Sequence, residues 1–240
     1  MVVKSQIKLI KSLQQKKYRI QNGMFIVEGK KTVQELLDSP FEAYKVFTTE
    51  LSVVSAKSDI IEIVSMAQLK QMSGLKSPNK VIGVFYFPKQ EVAISDEWTL
   101  VLDDIQDPGN MGTIIRLCDW FGIQNLVCSN NTVDCYNPKV LQASMGSIAR
   151  VNIVYADLES FLKKSKLPIL GAFMSGDPVY KVKLPETGIL IMGNEANGIS
   201  KKIEALISSK IAIPQFGKKT TESLNVATAT AILLNEVRRS

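Results

Sequence analysis

Short, almost wholly apolar segments between residues 98 and 240 constrain the fold more than any other feature of the chain. The clearest are residues 98–103, 188–192 and 211–214, and stretches with helical spacing separate such segments. Continuous Val, Ile and Leu runs are typical of strands that are buried on both faces. Because these strands alternate with helices, they predict a parallel sheet within an α/β domain.

Three of these strands are followed by loops that combine glycine with polar side chains. Residues 107–112 form the first loop, with Arg116 shortly after it, and residues 193–198 form the second. The third includes Gly217 and leads to Ser223, which we expect to cap a helix that runs to the end of the chain. Parallel sheets bind ligands at the carboxyl ends of their strands, so the three loops predict a ligand site. None of them matches a Walker loop or a GxGxxG fingerprint.

The first third of the chain predicts a second, smaller α/β layer. Its strands are expected at residues 24–29, 44–47, 60–64 and 81–87, with helices among them. Proline and polar residues then interrupt the pattern before residue 98. We therefore expect a small domain at residues 1–90, a linker at 91–97 and the larger domain at 98–240.

A basic amphipathic helix is predicted at the start of the small domain. Lysine and arginine alternate with apolar residues at near-helical spacing through residues 4–19. Two interpretations remain open here. The helix is either a solvated surface helix or a contact for a phosphate backbone through Lys16, Lys17 and Arg19.

Composition excludes several kinds of chemistry. The chain contains no histidine, which removes Ser-His-Asp hydrolysis and most zinc enzymes. Its net charge of +6 favours a polyanionic partner. Cys118, Cys128 and Cys135 lack the paired spacing of a zinc site and suit a reducing compartment. No apolar run approaches the roughly 20 residues of a membrane helix, and the start lacks a signal-peptide core. We expect a cytoplasmic protein without metal or membrane partners.

Together and in this order, the three loops resemble the three motifs of the SpoU (TrmH-like) ribose methyltransferases of the SPOUT class. Residues 107–112 with Arg116 resemble the first motif and residues 192–198 the second. Residues 213–226 resemble the third motif, with a longer loop at 218–222 than most members have. More loosely, residues 25–29 resemble the family's amino-terminal substrate-binding module, which is similar to small ribosomal-protein-like RNA binders.

The resemblance implies a fold, a cofactor and a substrate. The carboxy-terminal segment would form a trefoil knot, and two chains would form a homodimer that can complete one site with residues from both. The cofactor would be S-adenosylmethionine, and the substrate a ribose 2′-hydroxyl in RNA, ribosomal rather than transfer RNA by preference. The motif match places the cofactor near Gly193, Ile213 and Leu224, with Ala172 and Met174 as looser candidates.

The resemblance also implies catalytic residues, with Arg116 as the family's catalytic arginine. A guanidinium is essentially never deprotonated in proteins, which favours a bidentate phosphate clamp over a general base, although both roles remain open. Asn110 would orient Arg116 or the ribose, and Glu195 and Asn225 would hold the loops together. Ser223 would cap the helix and touch the substrate.

Several alternatives accompany this interpretation. Asn110 and Asn225 can serve only to fix turns, and Glu195 can pair with a surface lysine. Lys218 and Lys219, in the longer loop, are predicted to contact RNA phosphate. At the level of function, a non-catalytic RNA-binding scaffold and a base methyltransferase of a sister family remain open.

Overall fold

The computed structural model of the protein describes residues 2–89, 97–217 and 223–239. The chain divides into two compact units. The amino-terminal unit comprises Met1–Lys89 and Asp134–Arg150, and the carboxy-terminal unit comprises Gln90–Val133 and Val151–Ser240. Among the described residues, no helix has both the length and the apolar character that crossing a membrane requires.

The described residues form ten strands and nine α-helices. The strands are β1 (Met24–Glu28), β2 (Ala43–Thr48), β3 (Ile61–Ile63), β4 (Val81–Tyr86), β5 (Thr99–Asp103), β6 (Asn125–Ser129), β7 (Asn152–Ala156), β8 (Ile169–Pro178), β9 (Ile189–Gly193) and β10 (Ser209–Ala212). The helices are α1 (Lys4–Ser12), α2 (Lys16–Asn22), α3 (Lys30–Leu37), α4 (Met66–Met72), α5 (Pro108–Trp120), α6 (Pro138–Ser144), α7 (Leu158–Lys164), α8 (Lys201–Glu204) and α9 (Val226–Arg239).

A four-stranded mixed sheet forms the centre of the amino-terminal unit. Its order is β1-β4-β2-β3, with β4 antiparallel to both of its neighbours and β3 parallel to β2. Four of the five residues of β1 are buried, as the apolar run at 24–29 predicts. The predicted small α/β layer is therefore present, with strands close to the predicted positions.

The basic segment at residues 4–19 forms two helices rather than the single one that its spacing predicts. Gln15 has an extended backbone and separates α1 from α2. The break leaves the carbonyls of Leu13 and Gln14 free to accept hydrogen bonds from Arg19 Nη1, at 3.0 and 2.9 Å. Since Leu13 is fully buried, this corner is fixed by core packing as well as by the arginine.

Residues 134–150, which the sequence assigned to the larger domain, pack in the amino-terminal unit. The Tyr136 ring lies 4.5 Å from Phe25 and 4.7 Å from Phe87, between ring centroids. Asp134 forms an ion pair with Arg19 at 2.6 Å, and Arg150 pairs with Glu35. Aromatic packing and two ion pairs thus attach residues 134–150, which we call the excursion, to the rest of this unit. Strand and helix patterns do not predict such contacts between elements that are distant in sequence.

The carboxy-terminal unit contains a six-stranded sheet, and its parallel character confirms the prediction. The order is β10-β8-β9-β5-β6-β7, and all five pairings are parallel. β5 enters in the middle, between β9 and β6, so the strand order reverses there. Sheets of this type bind ligands outside the carboxyl ends of the strands at such a reversal.

Candidate functional site

The loops after β5 and β9 meet at the point where the strand order reverses. Asn110, in the first turn of α5, donates from Nδ2 to Glu195 Oε1 at 3.0 Å. The backbone N–H of Gln106 donates to the other carboxylate oxygen of Glu195 at 3.4 Å. Glu195 therefore joins the first two motif loops, and the alternative of a surface pair with lysine does not describe its contacts.

Asn225 brings the third motif segment to the same place. Its Nδ2 donates to Asn110 Oδ1 at 2.8 Å, and its Oδ1 accepts from the N–H groups of Ala227 and Thr228. Asn225 thus caps α9, which begins at Val226, so the prediction that Ser223 is the cap is wrong. We call Asn110, Glu195 and Asn225 the amide–carboxylate cluster.

Local hydrogen bonds explain why the two motif loops fold as they do. Asp107 accepts from the Asn110 N–H at 2.7 Å, and with Pro108 at the first helical position it starts α5 at residue 108. In the second loop, Asn194 Oδ1 accepts from the N–H groups of Ala196 and Asn197. These short-range bonds present Asn110 and Glu195 to each other.

Gly193 is required where the second loop closes. A Cβ atom at this position would lie 2.3 Å from the Gly198 carbonyl carbon and from the Ile199 nitrogen. Real Cβ atoms do not approach backbone this closely, so no larger residue fits without opening the loop. Gly193 therefore allows β9 to end against its own returning chain.

Two aspartates at the end of β5 support the site and were not predicted from the sequence. Asp103 is buried and accepts from the Ser200 N–H at 2.8 Å. Asp104 has a positive φ of 62°, and its carbonyl accepts from Asn194 Nδ2 at 2.7 Å. A left-handed non-glycine residue is uncommon and clusters at functional sites. The adjacent acidic pair at a strand end was the available signal.

Arg116 lies on the exposed face of α5 and is not joined to the cluster. Among the described residues, no hydrogen bond or ion pair engages its guanidinium, and Asn110 bonds to Glu195 and Asn225 instead. The expectation that Asn110 orients Arg116 is thus not what the contacts show. Trp120, one turn later, is 82% exposed. The five donors of Arg116 remain available to an anionic ligand.

Four of the five predicted cofactor residues lie on or directly after three neighbouring strands, whereas Leu224 lies between β10 and α9. Gly193 ends β9, and Ile213 follows β10 directly. On β8, the residues paired with β10 jump from Gly171 to Asp177, so Ala172 and Met174 lie in an irregular stretch between two registers.

The exposure of these residues allows a test of whether S-adenosylmethionine fits. The side chains of Met174 and Leu224 are 64% and 48% exposed, so they offer apolar surface that no described residue covers. An adenine ring and an aliphatic chain need apolar surface of this kind beside backbone polar groups. The residues present are therefore compatible with the cofactor.

The predicted RNA-binding residues divide into three groups. Lys16 and Lys17 are exposed at the start of α2. Arg19 is only 2% exposed and donates to Asp134, Leu13 and Gln14, so its assignment as an RNA contact is wrong. Lys218 and Lys219 lie outside the described residues.

The cysteines and acidic groups add no further chemistry. In the part of the chain that the structure describes, no group of three or more His, Cys, Asp or Glu residues is arranged to hold a metal ion. Cys118, Cys128 and Cys135 are all buried, and among the described residues they form no disulfide. Burial, and then the nearby charge of Asp119, raises the pKa of the Cys118 thiol, which keeps it protonated and unreactive.

Comparison with known families gives matches in both parts of the chain. Residues 97–235 match the SpoU rRNA Methylase family, and residues 4–83 match the MRM3-like substrate binding domain. The chain is 30% identical over 235 residues to the 23S rRNA (guanosine(2553)-2′-O)-methyltransferase RlmP of Bacillus subtilis, covering 95% of this chain and 94% of that protein.

Solved structures agree over the whole chain. A protein assigned to the TrmH family of RNA methyltransferases from Porphyromonas gingivalis has a TM-score of 0.92 and 38% identity, covering 100% of this chain and 99% of that one. The AdoMet-bound rRNA methyltransferase from Sinorhizobium meliloti has a TM-score of 0.89 and 27% identity, covering 100% and 96%. In both, the similarity extends over the two units and the sites described above.

Proposed function

The chain belongs to the SpoU rRNA methylase family, and on that premise we propose that it transfers a methyl group from S-adenosylmethionine to a ribose 2′-hydroxyl of RNA. Ribosomal RNA is the preferred substrate over transfer RNA, because the relatives include 23S rRNA methyltransferases. The observation that carries the proposal is the amide–carboxylate cluster, which joins residues of all three motifs at the strand-order reversal.

Methyl transfer requires the protein mainly to position the ribose hydroxyl relative to the methyl donor. Methyl transfer to an alcohol is an in-line displacement, and the cofactor supplies an activated methyl group when bound. The amide–carboxylate cluster fixes the loops that would surround the reacting atoms, which lowers the entropic part of the barrier. Arg116 binds the phosphate of the target nucleotide through two parallel N–H donors and so orients the 2′-hydroxyl. A phosphate held in this way can assist loss of the hydroxyl proton, whereas the guanidinium itself stays protonated.

Methyl transfer from labelled S-adenosylmethionine to total ribosomal RNA tests the role of Arg116. Arg116→Ala should lower the rate by about a hundredfold or more, because positioned charged groups in active sites commonly contribute that much. Lys164→Ala is the control, since Lys164 is an exposed cation of the same unit in the last turn of α7. Equal rates for Arg116→Ala and the wild type would remove this arginine from the mechanism.

The same reaction separates the alternative functions. Mapping of the methylated product by resistance to alkaline cleavage reports methylation of the ribose. A labelled base with unmodified ribose would establish a base methyltransferase instead. Absence of cofactor binding by calorimetry, with RNA present, would favour a non-catalytic RNA-binding scaffold.

The proposal includes a homodimer formed through the exposed faces of α5 and α9. These helices pack against each other, and Trp120 and Ile232 remain 82% and 37% exposed on them. Since aromatic residues are enriched at interfaces, an exposed tryptophan supports an interface on this face. Arg116 lies one turn from Trp120 on the same face, so a dimer of this kind would place it beside the partner chain.

The homodimer is tested by light scattering coupled to gel filtration. Trp120→Arg should convert a dimer to a monomer and lower methyl transfer together, while Leu51→Arg should change neither. Leu51 is the control because it is a 65% exposed apolar residue in the amino-terminal unit. A wild-type protein that is monomeric at micromolar concentration would contradict the proposal.

Two features of chain organisation complete the proposal. The segment after β10 would thread through an earlier loop as a trefoil knot. The Asn225–Asn110 bond and the packing of α9 against β9 and the turn at Val179–Lys181 support this threading. The first 90 residues would act as the RNA substrate-binding domain, residues 91–97 as the linker and residues 98–240 as the methyltransferase domain, except for residues 134–150, which pack in the amino-terminal unit. The matched family ranges support this division.

The proposal includes RNA contacts at Lys16, Lys17, Lys218 and Lys219. It also includes a cytoplasmic location, which the bacterial 23S rRNA methyltransferases among the relatives support. Replacing Lys16 and Lys17 by alanine, and separately Lys218 and Lys219, should each weaken RNA binding and reduce the slope of log K against log salt by about one to two. An unchanged slope for either pair would remove that pair from the interface.

A further inference from the structure

The amino-terminal unit contains a cavity of about 300 Å³ that has no part in the site described above. The end of β1, the loop at Gly74 and Leu75, the start of α6 and Gln14 surround it. Because α6 belongs to the excursion at residues 134–150, the cavity exists only through the packing of that excursion in this unit. The volume is at the small end of ligand pockets and suits one planar ring system.

Apolar side chains line one part of the cavity. Ile26 and Leu141 are almost fully buried there, and Leu75 and Pro138 are partly exposed beside them. Surfaces of this kind bind the face of a flat, weakly polar group such as a nucleobase, which loses water on both sides when it is enclosed.

Amide side chains supply the polar part of the lining, and hydrogen bonds fix two of them. Gln14 Nε2 donates to Glu28 Oε1 at 3.3 Å, which leaves its carbonyl oxygen as an acceptor. Asn137 Oδ1 accepts from the Lys139 N–H at 3.0 Å, which leaves its Nδ2 group as a donor. Within the described residues, the Gln142 side chain has no hydrogen-bond partner. Asparagine and glutamine amides are groups that proteins use to read base edges.

Hydrogen bonds hold the Glu28 carboxylate against the cavity wall. Its carboxylate accepts from Gln14, from the Gly74 N–H at 2.8 Å and from the Ser73 hydroxyl. These three donors satisfy the carboxylate, and Glu28 therefore positions Gln14 and the loop at Gly74. The exposed Lys139 adds a positive charge at the lining, which suits the phosphate attached to a nucleotide.

We propose that this cavity receives one unstacked nucleobase of the substrate RNA. The inference rests on the proposed function, since an RNA methyltransferase needs to select its target. It adds a recognition pocket in the amino-terminal unit, whereas the residues assigned to methyl transfer lie in the carboxy-terminal unit. A nucleobase matches the lining in shape, in its alternating donors and acceptors, and in the charge of its phosphate.

Two substitutions disturb the lining while leaving the core unchanged. In Gly74→Ala, the new Cβ would lie 2.7 Å from the Gln14 side-chain carbonyl, which is the end of a flexible side chain and can move aside. Gln142→Ala removes an exposed amide. Gln71→Ala is the matched control, because Gln71 is an exposed glutamine in the same unit that does not line the cavity.

The experiment combines affinity with ultraviolet crosslinking, using the full-length chain and ribosomal RNA. Irradiation at short wavelength requires no modified base, and mass spectrometry identifies both the peptide and the attached nucleotide. We expect adducts on peptides that contain Leu75, Pro138 or Gln142. Gly74→Ala and Gln142→Ala should each weaken RNA binding by about five- to tenfold and reduce these adducts, while Gln71→Ala should not.

Each outcome decides between the inference and the function on which it rests. If adducts form only elsewhere and both variants bind RNA as the wild type does, the inference is overturned. Methyl transfer to the same RNA, measured in parallel, then shows whether the proposed function survives without it. Cavity adducts without methyl transfer would support the recognition pocket and contradict the proposed function.

Discussion

The two units use arginine in opposite ways. In the amino-terminal unit, Arg19 is 2% exposed and forms four hydrogen bonds, two of them to Asp134. In the carboxy-terminal unit, Arg116 is exposed and, as far as the described residues go, unengaged. Both occur among polar and apolar neighbours in sequence, and both were assigned to RNA. A basic residue thus becomes a structural group or a ligand contact according to whether the fold supplies acceptors for it.

The same contrast applies to the polar groups around each arginine. Asp134 and two backbone carbonyls accept hydrogen bonds from Arg19. Each of the three nitrogen atoms of the buried guanidinium is therefore a hydrogen-bond donor to the protein, as a buried charge requires. Around Arg116, the polar groups of the amide–carboxylate cluster bond to one another instead. The cluster is therefore rigid without the arginine, and the arginine remains available to a ligand.

Breaking the buried pair should produce the largest effect. Arg19→Met leaves the partly buried Asp134 without its cationic partner, although the Tyr136 N–H still donates to it. The amino-terminal unit should lose about 3 kcal/mol of stability, at the lower end of the cost of breaking a buried pair. Unfolding in urea, followed by far-ultraviolet circular dichroism, measures this change. Lys16→Met is the control, because Lys16 is exposed in the same helix.

Tryptophan fluorescence provides an internal control for that experiment. The chain has two tryptophans, Trp98 and Trp120, and both belong to the carboxy-terminal unit. Their transition should keep its midpoint in Arg19→Met. An equal shift of the tryptophan transition would show that Arg19 stabilises more than its own unit, and it would contradict the contrast between the two arginines.

Breaking the exposed cluster should affect activity more than stability. Asn110→Ala removes the partner of Glu195 Oε1 and of Asn225 Nδ2, and water can replace it because Glu195 and Asn225 are exposed. We expect a loss of stability of about 1 kcal/mol or less. The rate of methyl transfer should fall about ten- to a hundredfold, since small displacements of a positioned loop are costly in catalysis.

Asn130→Ala is the matched control for the cluster, as an exposed asparagine in the same unit. A double replacement of Asn110 and Asn225 should slow methyl transfer by less than the product of the two single effects, because the bond between the two side chains is lost only once. Strictly additive losses would mean that the two side chains act separately, and the cluster would then not be a unit.

Strand patterns and loop composition predicted the carboxy-terminal sheet and the loops at its edge, and the family resemblance indicated Asn110, Glu195 and Asn225 within those loops. These patterns did not predict the contacts between distant segments, because periodicity indicates which face of an element is buried and not which distant segment covers it. Arg19 illustrates the limit, since its acceptors come from a helix break and from residue 134. Ser223 and Asn225 illustrate another, because both are good caps and only the start of α9 distinguishes them.

The smallest effect should come from Asp157, an exposed carboxylate that allows comparison with the buried pair of Asp134. It caps α7, accepting from the Ser160 N–H at 2.9 Å. The Ser160 side chain, then the Ser160 backbone N–H, lower the pKa of Asp157 below its ordinary value of 3.8. Because the folded pKa is the lower one, the stabilisation is present above the unfolded pKa and is lost as the pH falls through the folded pKa.

Asp157→Asn retains a capping oxygen but removes the charge. Its tryptophan unfolding midpoint should therefore lie slightly below that of the wild type at pH 7, and the difference should shrink as the pH falls below about 4. Asp177→Asn is the control, because Asp177 is an exposed aspartate in the same unit that caps no helix. A difference that grows on acidification would reverse the sign and contradict the assignment. Screening by water should keep the contribution of an exposed carboxylate to stability small. If Asp157→Asn lost as much stability as Arg19→Met, exposure would not distinguish the two kinds of polar contact.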